Sequence, residues 1–386
     1  MTQAQTEEFK AGLDGVIAGE SKICLIDGEN RRLSYRGYNV ADLVKYSSFE
    51  ETAYLLIKGY LPTTNELLAF KKALVEARQI PPEILQILAS IPVKTSAMDA
   101  FRTIISALSQ YDPEVDSNSP EANFNKAIRL ISQAPIIIAA YHRLRHKLHP
   151  IEAKKDENSS LAANFLYMLT GEDADEYAKK VFDICLILHA DHCFNASTFT
   201  ARVTAATLSD MHSAVTSAIG ALKGPLHGGA NQEVMELLLK VASLDNVTTS
   251  INKMFEEGKK IPGFGHRVYR NCEDPRATIL RECSRELGIR NKNTKWFEIS
   301  EAISQIVVKR AEEKQKPIYP NVDFYSASTY HVLGIDTQLF TPIFAMSRMA
   351  GWCAHIIEQH TNNRLIRPQA NYLGEKDLNY LEISKR

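Results

Sequence analysis

The residue pattern predicts an all-α fold with one small β-hairpin near its N-terminus. Three observations lead there. Strand-prone residues gather in a single short stretch, capping-box spacings introduce runs with apolar residues at helical intervals, and helix, short loop, helix recurs along nearly the whole length. With 386 residues, 45% of them hydrophobic and 24% charged, the chain has room for two or three average domains and a large core.

Residues 21–38, SKICLIDGENRRLSYRGY, hold two strand-prone runs around the turn-prone segment 27–30, which defines the hairpin. Ser48 followed by Glu51, and Thr63 followed by Glu66, each set a hydroxyl where a helix begins and a carboxylate three residues on. Behind the first, Ala53, Leu56 and Ile57 form one buried stripe. Behind the second, residues 66 to about 78 form a helix with Leu67, Phe70 and Leu74 on one face, ending before Pro81 and Pro82. Residues 112–121 and 153–160 read as polar surface connections. No fixed-period repeat or low-complexity tract occurs. Residues 198–221 are dense in Ala, Ser, Thr and Gly, small enough to let backbones approach closely, and mark an inner helix.

Lys and Arg number 45 against 46 Asp and Glu, so no global charge excess draws the chain to nucleic acid or to an acidic membrane surface. An anionic ligand must be met by local positive charge. The longest apolar run, residues 181–190 interrupted by Asp183, falls short of the roughly 20 residues of a membrane span and reads as a core helix. The opening MTQAQTEEFKAGLDG lacks a basic start followed by an apolar stretch, and its glutamates argue against a transit peptide, so a cytoplasmic location is expected. Cys24, Cys185, Cys193, Cys272, Cys283 and Cys353 form no C-x-x-C pair, which suits reduced thiols.

Four segments place His, Arg, Asp and Gly where a simple core does not call for them. The first closes the apolar run with His189 and His192, three residues apart. A metal is one reading, but the H-E-x-x-H pattern is missing; histidines satisfied by helix-terminal carbonyls are the other. The second, residues 223–231, is glycine-rich around His227 and leads into a helix beginning near Asn231. It lacks the spacing of a phosphate loop, and a histidine at a helix N-terminus is held neutral, as a donor to a carbonyl. The third, residues 261–270, contains His266 and runs to Asp274-Pro275-Arg276, a helix start with Asp as cap; Arg276 there could meet an anion, or the segment could be a surface loop with scattered basic residues. In the fourth, residues 320–327, Asp323 sits among apolar neighbours that would raise its pKa and make it a usable base, unless it is a helix cap.

Taken together and in this order, the four segments resemble the signature regions of citrate synthases, particularly the bacterial type, within a family that includes 2-methylcitrate synthases. The likeness continues through residues 18–21 (AGES), 35–38 (YRGY), 341–348 (TPIFAMSR) and 363–368 (NRLIRP), and so covers nearly the whole chain. It implies a two-domain helical fold: a large domain from residues 1–228 and 335–386, and a small one from 229–334, closing on each other.

The resemblance also implies roles. His227, His266 and Asp323 match the catalytic trio: Asp323 takes a proton from the thioester methyl, His227 hydrogen-bonds the thioester oxygen, and His266 polarises the oxaloacetate ketone. His192, Arg276 and Arg348 match the oxaloacetate ligands, and Arg367 the arginine supplied by a neighbouring subunit, so a homodimer is the minimum assembly and higher oligomers are allowed. Ile261, Pro262, Gly263, Phe264 and Gly265 match the adenine-recognition segment of the CoA site, with Arg270 a phosphate partner and Lys259 and Lys260 weaker ones. No metal or redox cofactor is implied. The expected reaction condenses acetyl-CoA with oxaloacetate and water to citrate and CoA, the entry step of the tricarboxylic acid cycle.

Two departures stand out. Cys193 follows His192 where the family often has glutamate, and the spacing from His266 to Arg276 holds an extra residue relative to some members. The rival readings are 2-methylcitrate synthesis from propionyl-CoA, which differs by one methylene and hence by only about 1–3 kcal/mol of pocket contact, a catalytically silent scaffold, and a metal-dependent hydrolase.

Overall fold

The computed structural model describes residues 9–386; the first eight, part of the segment read for a leader, lie outside the described residues. The strand-prone stretch forms β1 (Cys24–Asp27) and β2 (Arg32–Tyr35), antiparallel with Cys24 opposite Tyr35. The Asp27 carboxylate holds the turn by accepting from the Asn30 backbone N–H. A third strand not anticipated from the sequence, β3 (Tyr38–Asn39), pairs with β2, because Arg36 (φ 50°) and Gly37 (φ 92°) turn the chain back at once. Two residues are too few to show a period.

Asn39 then caps α1 (Val40–Tyr46). Ser48 caps α2 (Phe49–Lys58) through the Glu51 N–H, and at Thr63 both halves of the capping box form at the start of α3 (Thr64–Glu76). The stripe of Ala53, Leu56 and Ile57 is buried as read. The chain continues through α4 (Pro82–Ser90), α5 (Ala97–Leu108), α6 (Pro120–Arg145) and α7 (Leu161–Thr170). The connection before α6 is less superficial than its polarity suggests: Asp112 is buried in a bidentate pair with Arg129, and carbonyls of Val115 and Ser117 accept from the Lys126 ammonium. The apolar run becomes α8 (Glu176–His189), a core helix.

Where one inner helix was expected over 198–221, there are two, α9 (Ala196–Ala205) and α10 (Met211–Leu222). Leu208 takes a left-handed φ of 65° and Asp210 caps α10 through the Ser213 N–H, so the chain reverses there. Ala201, Ala205, Ala214 and Ala218, all fully buried, let the pair pack closely.

Next come α11 (Ala230–Val241), α12 (Val247–Glu256), α13 (Pro275–Arg290), α14 (Lys295–Glu313) and α15 (Val322–Val332), which pack chiefly on one another. The last long helix, α16 (Phe340–Thr361), is buried without a break over residues 340–356 and touches α2, α5, α6, α8, α9, α10 and α11. A helix apolar all round belongs at a centre. At Gly351 a Cβ would come within 2.3 Å of the Ala190 carbonyl oxygen, so only glycine lets α16 lie against the end of α8. No helix among the described residues is long and apolar enough to cross a membrane.

Candidate active site

Side chains from six segments meet where α8 ends against α16. The end of α8 is braced by the sheet: the Tyr35 hydroxyl lies within hydrogen-bonding distance of the Ile187 and Asp191 carbonyls at 3.1 and 3.0 Å. Asp191, fully buried, accepts from the Cys193 N–H and faces His355 Nε2 at 3.3 Å, and Cys193 takes a φ of 51°. This turn delivers His192, whose ring centroid is 5.0 Å from that of His266 and whose buried Nε2 has no hydrogen-bond partner among the described residues. His189 behaves differently. Its Nδ1 meets the Cys185 carbonyl at 2.7 Å, the helix-terminal arrangement weighed against a metal for this pair.

Arg348, from the middle of α16, donates from Nε to the His189 carbonyl at 2.7 Å. Both its terminal nitrogens are buried without a partner among the described residues, and burial pulls its pKa down. A buried guanidinium left so is costly, and an anion is what would relieve it. Arg276 stands at the Asp-capped start of α13, as read, and is already paired there. The anion at the start of α13 is its own cap: Asp274 accepts from Nε and Nη2 at 3.0 and 2.7 Å, a buried bidentate pair.

His227 precedes α11, yet α9 is the helix that fixes it. Nε2 accepts from the Ser197 N–H at 3.3 Å and faces the Ser197 hydroxyl at 2.9 Å, which in turn accepts from the Trp352 indole. Taken as the acceptor of that N–H, Nε2 leaves the ring proton on Nδ1, while the Ser197 hydroxyl gives its own proton to Asn195 Oδ1 at 2.8 Å. Burial first, then the Arg348 charge, lowers its pKa to about 4, in the direction of the neutrality expected at the start of α11. In His266 the tautomer is mirrored: Nδ1 accepts from the N–H groups of Val268 and Tyr269 at 2.9 and 3.2 Å, leaving Nε2–H to donate. Its pKa too falls to about 4, through burial and then Arg276. His192 is also held well below its ordinary pKa, by burial first, then by Arg276, His266, Arg348 and His227.

Asp323 lies in the first turn of α15 but is not its cap. Asn321 is, accepting from the Asp323 N–H at 3.0 Å. The carboxylate is thereby free, its Oδ1 buried and without a partner among the described residues; burial raises its pKa to about 7 against the opposing pull of Arg276. Asn321 also donates to the Gly265 carbonyl, and its backbone N–H to that of Gly263, so the 261–265 loop and Asp323 share one anchor. Gly263 has φ 78°, and a Cβ there would press on Val234 at 2.7 Å and Phe324 at 2.9 Å.

Ile261, Pro262, Gly263, Phe264 and Gly265 are thus held against α11 and α15, whereas Arg270 is exposed, 3.8 Å from Asp14, and Lys259 pairs with Glu257. Arg367 lies on the segment beyond α16, exposed, and no hydrogen bond or ion pair joins it to the other arginines among the described residues. Burial raises the Cys193 thiol, which argues against a reactive thiolate. Sequence reasoning missed Asn321, Ser197, Asp191 and Trp352. Of these only Asn321 carried a signal, an Asn two residues ahead of the Asp in a Pro-Asn-Val-Asp helix start.

Imidazoles that burial keeps neutral, a carboxylate poised near neutrality and a buried cation without a counter-ion, on an all-α scaffold, are the groups an enzyme needs to draw a proton from carbon beside a carbonyl. The family described as "Citrate synthase, C-terminal domain" matches residues 12–369. A citrate synthase of Haloferax volcanii is 47% identical over 98% of this chain and 99% of its own, and citrate synthase 2 of Bacillus subtilis is 48% identical over 97% and 98%. A structure of Thermoplasma acidophilum citrate synthase, in ternary complex with carboxymethyl-coenzyme A and oxaloacetate, superposes with a TM-score of 0.92 at 32% identity, covering 99% of this chain and 100% of that one. The chain belongs to the citrate synthase family and is an acyltransferase.

Proposed function

We propose that the protein condenses acetyl-CoA with oxaloacetate and hydrolyses the resulting thioester to citrate and CoA. The observation that carries this is Arg348, a buried guanidinium whose two terminal nitrogens await a carboxylate beside three neutral histidines. Oxaloacetate offers two carboxylates and a ketone. Arg348 would take one carboxylate, aided by His192 and the remaining nitrogen of Arg276, while His266 Nε2–H donates to the ketone oxygen. Asp323, ionised above about pH 7, removes a methyl proton of the thioester, and His227 Nδ1–H donates to the oxygen where the enolate charge gathers. The methyl carbon then attacks the ketone carbon, His266 donates to the developing alkoxide, and water cleaves the thioester to release the CoA thiol.

The 261–265 loop, tied to Asp323 by Asn321, is the adenine side of the CoA site in this reading, with Arg270 reaching the phosphates. The small domain corresponds to α11 to α15, ending at Gly334 (φ 77°), a position free to hinge; its closure would keep water from the acyl-CoA until oxaloacetate is bound. A homodimer is supported by the segment beyond α16, which exposes Leu365, Tyr372, Leu373 and Tyr380 around Arg367 and has the composition of a docked arm. The location is read as cytoplasmic.

CoA-thiol release by the purified protein, with oxaloacetate and either acetyl-CoA or propionyl-CoA, tests the assignment. Faster release from acetyl-CoA, abolished in Asp323→Ala, is expected. Preference for propionyl-CoA would move the activity to 2-methylcitrate formation, and silence with both donors would leave a scaffold. Activity should survive a strong chelator, since no step needs a metal.

A further inference from the structure

Outside the catalytic cluster, three metal-ligating side chains meet at a junction that the reaction does not use. His142 and His146 stand one turn apart at the C-terminal end of α6, their ring centroids 4.6 Å apart. Asp336 comes to them from the other side, on the short link between Gly334 and α16. Its Oδ1 is occupied, accepting from the Gln338 N–H at 2.9 Å, while Oδ2 faces His146 Nε2 at 3.5 Å. The ligand atoms of all three lie within 4.8 Å of one another.

We infer that His142, His146 and Asp336 form a binding site for a divalent transition metal of the zinc class. Two imidazoles at i and i+4 on one helix face, with a carboxylate from a second element, make a three-ligand set that leaves a fourth position for water. In tetrahedral zinc, bonds of about 2.0–2.2 Å put ligand atoms about 3.3–3.5 Å apart, the separation already seen between His146 and Asp336. The remaining approach is that of His142 to this pair, and the His146 side chain, 54% exposed, has room to follow it.

The carbonyl end of α6 carries partial negative charge, which favours a cation, against the positive charge of Arg143 and Arg145, whose guanidinium groups donate to the His149, Leu169 and Val93 carbonyls. A bound ion would tie α6 to the segment entering α16.

Titration calorimetry of the chelator-stripped full-length protein with zinc chloride, and cobalt(II) as a spectroscopic stand-in, tests the site in wild type, His146→Gln and Asp336→Asn. One ion per chain is expected, bound about 100-fold more weakly in His146→Gln, since a lost ligand should cost at least as much as a lost outer-shell partner. The cobalt spectrum should lack a thiolate charge-transfer band, and CoA release by the stripped protein should be unchanged in the variants. Unaltered circular dichroism shows that a variant has folded; Asp336→Asn serves as the second probe should His146→Gln misfold. No uptake, equal affinity in wild type and a folded variant, or a thiolate band from one of the six cysteines would each overturn the site. His142 and His146 would then be only two tilted rings at a helix end.

Discussion

Asp323 shows what a single displaced hydrogen bond does. Because Asn321 takes the capping role, the carboxylate has no helical N–H to satisfy it, and burial raises its pKa to about 7. A raised carboxylate binds its proton more tightly folded than unfolded, where it titrates near pH 3.9. Folding stability is therefore lost as pH climbs from about 4 to about 7, and the penalty persists above. Asp323→Asn removes it: the variant should melt at a higher temperature than wild type at pH 8, with the difference vanishing toward pH 4, while kcat falls by about 10²- to 10⁴-fold. A melting difference independent of pH would show the carboxylate to be unperturbed. Arg348 makes the complementary case. Its Arg348→Met variant should need about 2–5 kcal/mol more oxaloacetate binding free energy, at least about 30-fold in half-saturating concentration. At one oxaloacetate concentration the melting temperature of wild type should rise more than that of the variant, which needs about 30-fold more ligand for the same rise.

At the scale of elements, what could be read in the sequence was what is decided locally. The cap at Ser48, the full capping box at Thr63, the proline stop after α3 and the hairpin turn each depend on residues within a few positions and appear where they were read, though Glu51 does not complete the box at Ser48. The split between α9 and α10 was in principle visible in Leu208-Ser209-Asp210, but an unbroken run of small residues hid it. The site was legible as residue types and order, because His227, His266, Asp323 and Arg348 lie in distinctive segments. Their orientation was not. The pairing of His227 with Ser197, of Arg276 with Asp274 and of Asn321 with the 261–265 loop fixes tautomers, occupancy and position, and two of these span tens of residues. Asn321→Ala tests the last pairing. Losing both the α15 cap and the loop anchor should raise KM for acetyl-CoA and lower kcat together, whereas a purely structural cap would cost about 1 kcal/mol of stability and leave both constants alone.

For the whole molecule, the decisive question is whether one chain makes a complete site. Arg367 is exposed, on a segment with large apolar side chains, and makes no hydrogen bond to the cluster among the described residues. If a two-fold partner supplies it, each site combines Asp323 of one chain with Arg367 of the other, and two damaged chains can repair one another. Arg367→Ala keeps a sound Asp323, and Asp323→Asn keeps a sound Arg367. In a mixed dimer one site receives both intact residues and the other receives neither. Random reassembly of equal amounts makes half the dimers mixed, so about one quarter of wild-type activity should return from two nearly inactive parents. The remixing must pass through dissociated chains, and mixing without it should restore nothing. If activity stays at the average of the parents after full exchange, Arg367 acts within its own chain, and the exposed segment must fold back on the protomer that carries it.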